Sequence, residues 1–169
     1  PLEISNEYGT DALRYFALRE FHPFEDTAVS KDKLLESYNA NLANGIGNLT
    51  SRIMKMAENG GVKLDNPTEF SLTGLEDGFR KNVDNFDLKS AMDYIWLRIG
   101  YVDKWIQDKQ PYKTIKEDFD KGKSEIIFLL EELHAIANLL KPFLPETGKK
   151  IKECIEKNAV PSEPLFLRK

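Results

Sequence analysis

The chain is poor in the residues that most often carry chemistry: its 169 residues include one cysteine and two histidines. A lone Cys154 cannot close an intrachain disulfide, so a reducing, cytoplasmic setting is expected. Cys154, His22 and His134 together fall short of an ordinary Cys/His zinc cage, and no metal ion is expected. No apolar run approaches the roughly 20 residues that a bilayer-crossing helix needs. The opening residues, PLEISNEYGTDALRYF, lack the basic stretch and apolar run of a secretory signal. They also lack an initiator Met, which leads us to expect a piece of a longer chain or a processed one. Positive charge is not in excess: 24 Lys and Arg face 28 Asp and Glu, a formal net charge of −4. That excludes a nonspecific nucleic-acid coat, whose affinity comes from surplus cations meeting phosphates. No glycine-rich phosphate loop is present. Runs of alternating β-branched residues bounded by turns are missing, as is any internal repeat.

What is present is helical spacing, with a hydrophobic share of 41% and a charged share of 31%. Thr10 reads as the cap of a helix bearing Leu13, Phe16 and Ala17. The turn-rich FHPFEDTAVS ends in Ser30, a good N-cap. From there one long helix is expected over 30–58, with Leu35, Tyr38, Leu42, Ile46, Leu49, Ile53 and Met56 on its buried stripe. Gly60 and Gly61 end it. After a loop with Pro67, a short helix is expected around 75–82. Leu88, Met92, Ile95, Ile99, Val102 and Ile106 form the next stripe, which breaks at Gln110-Pro111. EDFDKGK reads as a charged linker. Ile126, Leu129, Leu130, Leu133, Ile136 and Leu140 mark another helix, and a last one is expected over 146–156. The tail with Pro161 and Pro164 reads as irregular or loosely docked. Long helices with mostly short connections give an all-α antiparallel bundle.

Two places carry polar groups that a bundle does not require. On a wheel of 100° per residue, Asn41, Asn44, Asn48, Arg52 and Lys55 fall together, away from the apolar stripe of the long helix. Amides and a guanidinium can both address nucleotide base edges or phosphates. The same strip is also what the exposed side of any amphipathic helix presents. Asn is a poor interior helix former, however, and NANLANGIGN holds four within ten residues. Gly45 and Gly47 each cost the helix roughly 1 kcal/mol relative to Ala, so a close approach by a neighbouring helix or a ligand is expected there. The second place is QPYK. Pro111 fixes the backbone at a helix end, Tyr112 offers a face on which an unpaired base can stack, and Lys113 can touch a phosphate. The alternative is a Tyr112 half-buried at a helix corner with its hydroxyl in water.

Three stretches, spread over almost the whole chain, resemble the C-terminal half of methionyl-tRNA synthetases, a class I family. They are PLEI with YGTDALRYFALRE, including D-A-L-R at 11–14, then NANLANGIGNLTSR at 39–52, and LLKPFLPET at 139–147. D-A-L-R alone points to a class I synthetase of the methionyl, cysteinyl or aliphatic branch, and the Asn-rich stretch narrows it to methionyl. The resemblance implies recognition of the CAU anticodon of methionine tRNA. An Asn and an Arg one helical turn apart, here Asn48 and Arg52, are the implied readers. A base stacks on the aromatic after a proline, a Trp in the family and Tyr112 here; Tyr keeps a π-face with less area. The family usually has Asn and Tyr where this chain has Asp103 and Trp105. Asp103 is expected to repel phosphate if it faces the anticodon, and Trp105 is expected to pack.

The resemblance also sets the expected organisation. Residues 1–29 connect to a preceding catalytic domain and carry the D-A-L-R helix, 30–160 form the anticodon-binding bundle, and 161–169 are a tail. The ATP-dependent attachment of methionine belongs to the catalytic domain in cis, since no HIGH or KMSKS motif occurs here; no cofactor is expected on this chain. The remaining candidates read as structural. His22 stands before Pro23 in a loop, His134 lies partly buried and neutral at the edge of a stripe, and Glu117-Asp118 and Glu131-Glu132 are solvated. Cys154 has no base or cation cluster to activate it. Two other readings stay open: a helical protein-interaction module that kept this fold but lost RNA recognition, and the equivalent domain of another class I synthetase.

Overall fold

In the computed structural model, residues 2–20, 30–65, 67 and 77–169 are described. His22 and the rest of 21–29 lie outside them, as do Leu75 and most of the loop before it. Among the described residues there is no strand. The fold is an all-α bundle, and no described helix is long and apolar enough to cross a membrane.

Helix α1 (Leu2–Tyr8) precedes α2 (Thr10–Tyr15), which continues as a π-helical stretch, Phe16–Glu20. Thr10 is not the cap expected. Gly9, at φ 91°, takes that position without a side-chain hydrogen bond, and Thr10 is the first helical residue. A glycine suits this backbone because φ in that range costs residues with a Cβ. The buried face is Ala12, Tyr15 and Phe16, while Ala17 is exposed.

The long helix exists but is not one regular α-helix. It runs as α3 (Lys31–Ser37), a π-helical stretch (Tyr38–Gly47) and α4 (Asn48–Gly60). Ser30 caps it, accepting the Lys33 N–H at 3.3 Å. The wider π turns keep residues four apart in register, which is why Tyr38, Leu42 and Ile46 are all buried. At the two ends the buried set slips by one or two positions, to Leu34 and Met54, leaving Leu35 and Met56 half-buried. The backbone kinks at Gly45, with φ −79° and ψ −107°. A Cβ on Gly47 would stand 3.0 Å from the Leu42 carbonyl oxygen of the same helix and 3.8 Å from Phe166. The close approach expected at these glycines is therefore the helix's own carbonyl, together with the C-terminal tail. Gly61, at φ 61°, ends α4, and the Val62 N–H reaches back to the Ala57 carbonyl at 2.9 Å.

Helix α5 (Asp77–Asp84) leads to α6 (Leu88–Lys109), capped by Asp87. Gln110, left-handed at φ 51°, ends α6, and Pro111 is the first residue of α7 (Pro111–Glu117). Proline's missing N–H costs nothing at that position, and its fixed φ suits a helix start. The stretch read as a charged linker is helical instead. Asp118 accepts the Lys121 N–H at 3.1 Å, and α8 (Phe119–Leu140) starts there. Helix α9 (Pro145–Lys157) follows a tight corner.

One apolar core runs through α4, α6 and α8, with Ile53, Ile95, Ile106, Ile126 and Leu129 almost wholly buried. Truncating any of these to Ala costs about 2–5 kcal/mol. The tail is irregular but docked: Phe166 is buried against Tyr38, and Asn39 exchanges hydrogen bonds with the Lys169 backbone at 2.8 and 3.0 Å. The two charged residues of D-A-L-R hold α2 to the α8–α9 corner. The buried Asp11 carboxylate accepts the Thr147 N–H and hydroxyl, both at 2.7 Å, at the start of α9. Arg14 donates to the Phe143 and Pro142 carbonyls at 2.5 and 3.0 Å. Asp11 thus meets the positive end of the α9 dipole, and Arg14 meets carbonyls of the turn between α8 and α9.

Candidate nucleic-acid interface

The four asparagines of residues 39–48 divide by role. Asn39 clamps the tail, and Asn41 is half-buried and donates to the Ser37 hydroxyl at 3.3 Å. Asn44 and Asn48 are exposed, and neither side chain hydrogen-bonds to a described residue. The five-residue polar strip drawn on a regular wheel is thereby shortened. Asn44 lies before the Gly45 kink, inside π turns to which 100° per residue does not apply, whereas Asn48 opens α4. From Asn48 onward the geometry is regular, so Asn48 and Arg52 stand one α-turn apart on one face.

Arg52 reaches across to α6. Its Nη1 donates to Asp103 Oδ1, and Asp103 Oδ2 accepts from the Gln107 amide at 2.6 Å. Both partners of the ion pair keep about a third of their side-chain surface in water, 35% and 37%. Asp103 is thus a neighbour of Arg52 whose charge is matched by the guanidinium. A guanidinium has five N–H donors, and those on Nε and Nη2 meet no described protein group.

Arg52 and Tyr112 line the same cleft, about 700 Å³, between α4, the end of α6, α7 and the start of α8. Pro111 is buried at the corner and Tyr112 is 44% exposed, with the Lys113 ammonium 6.0 Å from its ring centre. The corner is stiff because α7 lies directly on α8. A Cβ on Gly122 would come within 2.2 Å of the Ile115 Cα, so only glycine admits the contact. Asn48, Asn44 and Lys113 are not among its lining side chains; Asn48 stands one α-turn from Arg52. Trp105 packs on Phe128, ring centres 4.9 Å apart, as its place beside the stripe predicts.

Phe119, Lys116 and Met56 also line the cleft. Phe119 was missed because 117–123 read as a linker, whereas Met56 was assigned to the buried stripe of the long helix. The signal was there: Asp118 followed three residues later by Lys121, with Asp120 between, has the form of a capped first turn.

The other polar groups stay structural. Burial lowers the pKa of His134, with further lowering by Lys152 against the opposing Glu156. Burial raises that of the Cys154 thiol, which opposes thiolate formation. No group of three metal-ligating side chains occurs among the described residues.

The all-α bundle thus presents an Arg and an aromatic in one cleft, with an Asn one helical turn from the Arg. Residues 1–54 match the family described as class I tRNA synthetases (M), and residues 72–163 match the anticodon-binding domain of methionyl-tRNA ligase. The second match spans more than half of the chain, which therefore belongs to the methionyl-tRNA ligase anticodon-binding family. The chain is 31% identical over 164 residues to the methionine–tRNA ligase of Clostridium acetobutylicum, covering 90% of this chain and 26% of that protein. The Mycobacterium leprae ligase is 30% identical, covering 89% and 31%. Crystal structures of Mycobacterium tuberculosis methionyl-tRNA synthetase superpose with TM-scores of 0.83 for the apo form and 0.75 for the methionyl-adenylate complex. Identities are 25% and 26%, covering 100% and 97% of this chain and 41% and 37% of the solved chains. The chain thus spans about a quarter to a third of the curated relatives it matches.

Proposed function

We propose that this chain reads the CAU anticodon of methionine tRNA for a methionine–tRNA ligase, and that the ATP-dependent attachment of methionine is carried out by a catalytic domain in cis, in the cytoplasm. The observation that carries the reading is the shared cleft of Arg52 and Tyr112, with Asn48 one helical turn away. In it, an unpaired base stacks on Tyr112 while Asn48 and the remaining Arg52 donors address base edges. Pro111 sets the ring's direction. Asn44 and Lys113, both exposed, meet the sugar-phosphate backbone on either side.

Base stacking on an aromatic is worth roughly 1–3 kcal/mol, and a good bidentate contact discriminates by a similar amount. Together they suffice for selective binding by a domain whose net charge of −4 supplies little general attraction for RNA. A titration of the isotope-labelled chain with methionine tRNA, followed through the Asn48 and Tyr112 amides and the Arg52 Nε–H, tests this. Shifts centred on these groups are expected. A protein-interaction module that has lost RNA recognition would leave all of them unmoved.

A further inference from the structure

The cleft is larger than the contacts just assigned to it. Its floor is apolar, made by Ile106, Ile115 and Ile126, and its volume falls in the range of sites that enclose a small organic ligand. Two aromatics stand at its edge. Tyr112 belongs to the reading above; Phe119 does not, yet it is 57% exposed. The chain's net charge is −4, but the charged side chains lining this cleft are Arg52, Lys55 and Lys116, with no carboxylate among them. Lys55 has Glu58 at 3.7 Å on its own helix, a pair well exposed to water and therefore weak. Arg52 is matched by Asp103 of α6, so an apolar floor, a flat aromatic edge and the two lysines suit a ligand with one planar apolar part and one anionic part. A nucleotide is that ligand.

We propose that the cleft holds a second unpaired nucleotide, next to the one on Tyr112, with its base against Phe119 and Met56 and its phosphates at Lys55 and Lys116. The inference rests on the anticodon reading and extends it. Phe119 is well placed for this role: it is the first residue of α8, fixed by the Asp118 cap and by the Gly122–Ile115 contact that locks α7 to α8. Tyr112 and Phe119 are therefore carried by one rigid corner, and a loop whose bases splay outward meets both. A second platform also offsets the smaller stacking area of Tyr112.

The test uses this chain and anticodon stem-loop RNA bearing CAU, with loop purines replaced singly by a fluorescent analogue whose emission stacking quenches. Phe119 is exposed, so Phe119→Ala leaves the fold intact. It is expected to weaken binding roughly five- to twentyfold, the lower part of the range for a stacked base. It should also abolish the quenching at one loop position while leaving the Tyr112-dependent position quenched. Phe119→Trp is expected to restore both. Unchanged affinity and an unchanged quenching pattern in Phe119→Ala, alongside lost binding in Arg52→Ala and Tyr112→Ala, would overturn the second subsite alone. If all three variants bind as the parent does, the anticodon reading falls, and the subsite with it.

Discussion

In the proposed anticodon reading Arg52 is the side chain on which recognition turns, and its partner Asp103 sets what it can do. The carboxylate holds one end of the guanidinium across the groove to α6, and among the described residues the Nε and Nη2 donors meet no partner. The pair is partly exposed, so its own contribution to stability is about 1 kcal/mol or less. In the proposed reading its larger effect is on RNA: a fixed negative charge beside Arg52 weakens phosphate attraction and keeps the guanidinium in one pose. Asp103→Asn is therefore expected to tighten binding to CAU-bearing RNA roughly two- to fivefold, and to narrow its preference over altered anticodons. Filter binding at fixed salt measures both; unchanged affinity and preference would mean that Asp103 takes no part. At the stacking position, Tyr112→Trp enlarges the aromatic face. It is expected to tighten binding by a few-fold without altering anticodon preference, since stacking tolerates any base. A competition assay among the same RNAs reads the two effects separately.

The corner between α6, α7 and α8 shows why some elements were legible in sequence and others were not. The stripes of α6 and α8 follow a 3.6-residue period over several turns, and their predicted core positions are buried apart from a half-buried Leu88. The π turns of residues 38–47 are not written in residue type, because the same spacing by four also suits an α-helix. Their cost was visible only as the surplus of Asn and Gly. α1 was passed over, since its seven residues bury none of their number. The first turns of α8 were obscured by charge, although the Asp118 cap marks them. Arg52 and Tyr112 were singled out as candidate site residues from their chemistry and from family resemblance. Their common cleft with Phe119 required the α7–α8 contact through Gly122, which no local pattern encodes. Gly122→Ala drives a methyl into the Ile115 backbone. A loss of about 1–3 kcal/mol is expected, read as a lower melting temperature together with weaker RNA binding. A stable variant with full binding would show that the corner is not close-packed.

Ion pairs also tie elements together, and one gives a pH dependence. Burial pushes the Asp93 carboxyl up, but hydrogen bonds from Arg19 and Lys89 outweigh it and hold the group below its ordinary value of 3.8. A folded pKa below the unfolded one contributes stability that is full above about pH 3.8 and lost as pH falls through the depressed value. Asp93→Asn should lower the melting temperature at neutral pH, by an amount corresponding to about 1 kcal/mol or less because the pair is partly exposed. The gap from the parent should close in acid. A gap that is constant across the acid range would contradict this assignment.

Over the whole molecule, the acidic total and the cationic cleft divide the work. A net charge of −4 keeps general attraction for RNA low, so in the proposed reading binding depends on the local groups at Asn48, Arg52 and Tyr112. Asp11 and Arg14 of the D-A-L-R helix fasten α2 to the α8–α9 corner. The most direct measurement of the central claim is the affinity of this chain, at one fixed salt concentration, for anticodon stem-loops bearing CAU and each single-base change of it. A preference for CAU of roughly tenfold or more is predicted, from base contacts worth about 1–3 kcal/mol each. Equal affinity for CAU and every altered loop would contradict it.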